Sequence, residues 1–226
     1  MGKPTQFVNL PTKIMNLDEV RSVLQHLESR RLHWSEGTHK RMHCWMNCVI
    51  FRLSCCCGLR GCEIRRLRLS DFVIDGSRPV VKVRKEITKG QRRSRLVPLW
   101  WDQGTLNALT EYVLWKRRQT LDANAILLAA DFDSFRKQSR QYMQRRKLMS
   151  RWERFMKAAL GEGRGAQLGV HSGRHTFCSH AIISGRSLVE VRDAAGHSDA
   201  QTTNQYLHAL QTGTELPDLF PEENEE

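Results

Sequence analysis

No apolar run in the 226-residue sequence approaches the roughly 20 residues that a membrane-spanning helix needs. The N-terminus lacks the apolar core of a secretory signal, and Gln6 stands where an N-myristoylation site wants Ser or Thr. These absences predict a cytoplasmic protein with no membrane partner. Paired CxxC spacing is missing as well. Cys44 and Cys48 lie one turn apart and Cys55, Cys56 and Cys57 run together, but in an apolar stretch where cysteine packs as a small hydrophobe. No zinc site is expected there, and seven cysteines without a secretion signal fit a reducing compartment. No internal repeat or low-complexity tract precedes the C-terminal tail. Tyrosine is scarce, with Tyr112, Tyr142 and Tyr206 the only three.

Acid is in short supply over most of the chain. The formal charge is +12, which points to a polyanionic partner, and nucleic acid is the commonest. The balance is uneven, because the tail carries Glu215, Asp218, Glu222, Glu223, Glu225 and Glu226 and no Lys or Arg. Between residues 132 and 160 a long polar helix pattern, broken once, holds Arg136, Lys137, Arg140, Arg145, Arg146, Lys147, Arg151, Arg154 and Lys157 against only Asp133 and Glu153. That is too lopsided for a face laced by ion pairs. It reads as a face that tracks a phosphate backbone and makes one or two base contacts. Lys137, Arg140, Arg145 and Arg146 are the candidate contacts, with Arg92 and Arg93 in a hairpin upstream.

The remaining chain reads as helices around one small sheet. Asn16 and Glu19 form a capping box ahead of Val20, Val23, Leu24 and Leu27. Gly37 opens a second helix too apolar to be exposed, read as the buried centre, and Gly58 ends it. A helix over 61–68 follows, with Arg60 at its start, then strands over 71–75, 80–85 and 94–98 broken by Asp75-Gly76 and Lys89-Gly90 turns. Another amphipathic helix covers 100–118, and a short apolar segment 126–129. Gly161, Gly163, Gly165 and Gly169 read as a loop leading to His171. Lys82, Lys85 and Arg95 crowd the same hairpin as Arg92 and Arg93 and read as ordinary solvation.

Residues 171–210 concentrate the chemistry: His171 and Arg174 one turn apart, Gly196-His197, then Tyr206 nine residues later. A phenol with a pKa near 10 is a poor nucleophile at neutral pH. It works only where one group takes its proton and others draw charge from the attacked atom. Arginine holds phosphate best, since its planar fork is bidentate and always charged. The set suits a phosphodiester site with a covalent step.

These motifs resemble the C-terminal signature of the tyrosine recombinases, the integrase family that cuts and rejoins DNA. The resemblance extends to the Gly-Leu-Arg context of Arg60 and the hairpin turn at Lys89, and covers roughly residues 14–212. It implies an α+β fold, mostly helical with a three-stranded antiparallel sheet. Residues 1–13 would be an N-terminal extension, 14–212 the catalytic domain and 213–226 an acidic tail. One departure is Gly173 where members carry Leu, expected to loosen helix packing.

The resemblance assigns Tyr206 as nucleophile, Arg60 and Arg174 to the non-bridging oxygens, and Lys89 as donor to the departing 5′ oxygen. His171 handles the tyrosine proton and His197 hydrogen-bonds the phosphate, while Glu63 and His175 support the site without reacting. No cofactor and no metal are implied. The partner is double-stranded DNA, with a homotetramer in the synaptic complex and a monomer or weak oligomer when free. The family's N-terminal clamp domain finds no counterpart, so an accessory DNA-bending or clamp protein is a further candidate partner, and the implied setting is the nucleoid. Three rivals exist: a silent DNA-binding regulator of the same fold, a type IB topoisomerase, and a metal-dependent nuclease built on His171 and His175. The nuclease lacks a glutamate inside the motif and any third ligand except His197.

Overall fold

Asn16 starts the first helix, α1 (Leu17–Leu32), as the sequence predicts. Its side chain accepts the Glu19 N–H at 2.8 Å, and the Glu19 carboxylate accepts the Asn16 N–H at 3.0 Å. The computed structural model describes residues 11–91, 93–128 and 142–197. Thr38 caps α2 (His39–Phe51), the central helix, which buries Met42, Trp45, Met46, Val49, Ile50 and Phe51. It widens into a single π turn over Arg52–Cys56, where the Cys57 N–H reaches the Arg52 carbonyl at 3.1 Å. Cys55, Cys56 and Cys57 are buried there, and burial pushes the Cys55 and Cys57 thiols well up, so they act as packing groups.

The next helix, α3 (Gly61–Ile64), is shorter than the sequence predicts. The chain leaves it to pair residues 67–69 with 125–127: the Leu69 N–H meets the Ala125 carbonyl at 3.0 Å and the Leu127 N–H the Leu67 carbonyl at 2.9 Å. The sheet that follows is antiparallel in the order β1 (Phe72–Val73), β2 (Val80–Val83), β3 (Arg95–Pro98). Its register sets Phe72 opposite Val81, and Val81 opposite Val97, all buried. Asp102 caps α4 (Gln103–Gln119), accepting the Thr105 N–H at 2.7 Å. The C-terminal half is α5 (Arg145–Leu160), α6 (Glu162–Gln167), α7 (Val170–Ile183) and α8 (Leu188–Ala195). The architecture is the α+β, mostly helical one that the sequence implies.

Two local expectations need correction. The glycine-rich stretch after α5 is a short helix, α6, and not a loop. Gly165 packs so closely on the end of α5 that a Cβ there would lie 2.5 Å from the Lys157 backbone. Gly173 does not loosen α7 either. A Cβ at Gly173 would stand 2.4 Å from Ser54 Oγ and 3.0 Å from the Trp152 ring. Ser54 Oγ itself donates to the Val170 carbonyl at 2.8 Å. The glycine lets α7 approach the π turn and Trp152 together. Gly173→Leu should therefore destabilise the fold by about 1–3 kcal/mol through overpacking, readable as a lower midpoint in urea with an unchanged slope.

Candidate active site

Arg60 is the N-cap of α3, and three hydrogen bonds to two neighbours fix it. Its Nη1 donates to Glu63 Oε1 at 3.2 Å, its Nη2 to the Gly196 carbonyl at 3.1 Å, and its backbone N–H to Glu63 Oε2 at 2.8 Å. The side chain keeps 24% of its surface open. Glu63 is fully buried and held from its other side by Arg95. The Arg95 fork donates in parallel, Nη1 to Oε1 at 2.9 Å and Nη2 to Oε2 at 2.7 Å. Burial alone would raise the Glu63 carboxyl. The Arg95 hydrogen bonds and charge, with Arg60, overcome it and hold the group below its ordinary value.

Arg95 also ties down the last helix, its Nε donating to the Ala194 carbonyl at 2.8 Å. Gly196 ends α8 at φ 69, and a Cβ there would fall 2.8 Å from Arg95 Cδ. Only glycine satisfies both demands at once: the left-handed backbone that closes α8 and the close passage of the arginine. His197 follows, 5% exposed. Burial, then the charges of Arg174, Arg60, Arg95 and His175, push its pKa down to about 3. The ring is neutral at physiological pH.

Arg174 projects from α7 and is 2% exposed. Its Nη1 donates to the Gly58 carbonyl at 2.7 Å, while its buried Nη2 has no hydrogen-bond partner among the described residues. Burial lowers its pKa to about 10, so it stays charged. A guanidinium held at one edge and unsatisfied at the other is prepared for an anion. His175, one residue on, is pushed down to about 4 by burial and then by His171, Arg174 and Lys13. The His171 and His175 rings stand edge to face with centroids 4.7 Å apart, His171 on the exposed side.

The structure thus gathers Arg60, Glu63, Arg174, His175 and His197 around one point, with His171 at its rim. The Lys89 side chain, Arg92, Lys137, Arg140 and Tyr206 lie outside the described residues, as do residues 198–226. Arg93 is exposed and 3.5 Å from Asp193, and Arg145 and Arg146 are exposed at the start of α5. Two members of the basic stripe are turned to other work. Arg151 is buried against His43 and Asn47, and Lys157 pairs with Glu153 and Glu162 at 2.9 and 3.1 Å. Arg95 was the residue missed: it is a buried partner of Glu63, not hairpin solvation. The signal was available in the strand period, since Arg95 lies two residues before buried Val97 and shares its face.

Residues 13–212 match the model of the phage integrase family. The chain belongs to that family. Among curated relatives, the tyrosine recombinase XerD of Rickettsia bellii is 28% identical over 92% of this chain and 63% of its own length. The tyrosine recombinase XerC of Thermodesulfovibrio yellowstonii is 29% identical over 67% of this chain and 46% of its own length. This integrase-family chain therefore spans about half to two thirds of the relatives it matches. Among solved structures, the XerH site-specific recombinase bound to difH substrate superposes with a TM-score of 0.64 at 20% identity, over 86% of this chain and 50% of that one. The XerA recombinase gives the same TM-score at 19% identity, over 86% and 60%. These likenesses show the shared fold.

Proposed function

We propose that the chain is a site-specific DNA recombinase that breaks and rejoins strands through a 3′-phosphotyrosyl intermediate. The observation that carries this reading is the buried, half-satisfied Arg174 beside Arg60 and a neutral His197, a cluster built to receive a charged phosphate. Family membership and the recombinase relatives support it.

Tyr206 Oη attacks the scissile phosphorus while His171 takes the phenolic proton. The Tyr206 oxygen–phosphorus bond forms, the bond to the 5′ oxygen breaks, and Lys89 protonates the departing oxygen. Arg60 and Arg174 hold the non-bridging oxygens as charge builds, and His197, neutral, contributes a hydrogen bond. Glu63 and His175 keep the arginines and His171 in place. The phosphotyrosyl bond stores the energy of the broken one, so a second strand's 5′ hydroxyl closes the cycle by attacking it. Exchange between duplexes needs several protomers, proposed as four in the synapse, with residues 14–212 as the catalytic unit and 213–226 as an acidic tail. Duplex DNA in the nucleoid is the proposed setting, with Arg93, Arg145 and Arg146 among the backbone contacts.

A nicked suicide duplex tests this directly. The protein should form an SDS-resistant adduct in excess EDTA, and Tyr206→Phe should abolish the adduct while leaving duplex binding nearly intact, since only the nucleophilic oxygen is removed. An adduct that persists in the variant would assign the nucleophile elsewhere. An adduct that never leads to exchange between two duplexes would leave relaxation of supercoils as the activity.

A further inference from the structure

A second cationic recess is lined by residues outside that cluster. A cleft of about 580 Å3 opens between α1, α2 and α5, and none of the residues lining it is acidic. Arg30 enters from α1, His43 from α2, and Arg146, Lys147, Arg151 and Arg154 from α5. Such a concentration of like charge is costly unless an anion joins it.

The donors are arranged, not merely crowded. Arg151 Nη1 donates to Asn47 Oδ1 at 2.9 Å, and its Nη2 stands 3.0 Å from His43 Nδ1. Arginine can only donate, so Nδ1 accepts and the neutral His43 ring carries its proton on Nε2. That Nε2 is buried and has no hydrogen-bond partner among the described residues. His43, one of the residues that line the cleft, therefore carries a fixed N–H awaiting an acceptor, and several cations line the same cleft. Burial, with the charges of Arg151, His39, Lys147 and Arg154, also keeps this ring neutral, so an incoming oxyanion meets a donor of defined tautomer.

Position indicates which oxyanion. Leu148 on α5 packs against Gly61, the neighbour of Arg60. At 1.5 Å per residue, Arg154 lies roughly 9 Å further along the helix. A DNA strand presents a phosphate about every 3.4 Å of its axis. We infer that the α1–α2–α5 cleft is a second phosphate-binding subsite, taking a backbone phosphodiester of duplex DNA that flanks the one in the Arg60–Arg174 cluster. This rests on the recombinase reading above. It assigns the His43 Nε2–H, Arg30 and Arg154 to a single phosphate and gives Arg151 the task of fixing the imidazole.

Binding of the full chain to a labelled duplex over a salt series tests it. Arg30 and Arg154 are exposed, so Arg30→Gln with Arg154→Gln should fold normally. That pair should flatten the slope of log affinity against log salt by about 1.8, near 0.9 per lost contact. The equal-charge control, Arg78→Gln with Arg118→Gln, exposed elsewhere on the surface, should leave the slope unchanged. A duplex with one methylphosphonate at the flanking position should weaken the parent and not the Arg30/Arg154 variant. Equal slopes in the two variants would overturn the subsite. So would tighter binding both on deleting residues 214–226 and in the Arg30/Arg154 variant, because the cleft would then hold the tail's carboxylates. Adduct formation by the unaltered chain is read in parallel. Adduct without a slope change sinks only the cleft, and a slope change without adduct sinks only the catalytic reading.

Discussion

Glu63→Gln should lower stability by about 3–5 kcal/mol, which for a chain of this size is roughly 10 °C in Tm. The carboxylate is fully buried and answers two guanidiniums, Arg95 by a parallel fork and Arg60 by a single bond. Glutamine keeps the shape but strands the Arg95 charge, whose side chain is only 6% exposed. Leaving one partner of such a pair alone costs far more than the pair contributes, whereas replacing both by apolar groups is often neutral. Glu63→Leu combined with Arg95→Met should accordingly recover most of the lost stability. Activity should not recover with it. Arg60 loses the carboxylate that orients it, and the Ala194–Gly196 turn loses the Arg95 Nε bond that sets His197. A misplacement of about 1 Å at reacting groups can cost on the order of 10²-fold, so adduct formation in the double variant should stay depressed by about that factor. Recovery of stability and adduct rate together would make the pair a packing element with no part in positioning.

What the sequence discloses depends on how far apart the partners lie. The α1 capping box joins residues three apart, and its residue types are visible in a short window. The ends of α2 are legible for the same reason, with Gly37 read as its opening, one residue before the Thr38 cap, and Gly58 after its other end. His171, Arg174 and His197 are recognisable as a pattern, because reactive residue types at set spacings need no tertiary information. The Arg95–Glu63 fork spans 32 positions and the Arg151–Asn47 bond 104. Composition shows those arginines only as charge, and charge is read by default as solvated. Gly173 and Gly165 mislead in the same way. Glycine looks like loose packing or a loop until its neighbour, the Ser54 side chain at Gly173 or the backbone at the end of α5 at Gly165, shows that the missing Cβ makes room for contact. Tyr206 and the Lys89 side chain lie outside the described residues, so their roles rest on the pattern alone.

Acid should destabilise this fold well before its carboxylates titrate. His197, His43 and His175 have folded pKa values of about 3, 4 and 4 against an ordinary 6.5. The folded state excludes protons that the unfolded chain accepts, so stability is intact above pH 6.5 and falls as the pH drops toward the folded values. For His197, 5% exposed, the loss at pH 5.5 is about 1.4 kcal/mol; His43 and His175 add to it with the same sign. Glu63, whose folded pKa is lowered, contributes a second fall below pH 4.5. Lys116 acts at the other end. Buried, with its pKa pushed down to about 7 by burial, it adds stability as pH rises from 7 toward 10.5. Urea melts between pH 7.5 and 5.0 should show a progressive loss, and His197→Gln should flatten part of that slope. A parent protein equally stable at pH 7.5 and 5.5 would mean that these rings accept protons in the folded state. His197 could then meet the phosphate as a cation, and its assignment as a neutral donor would be wrong.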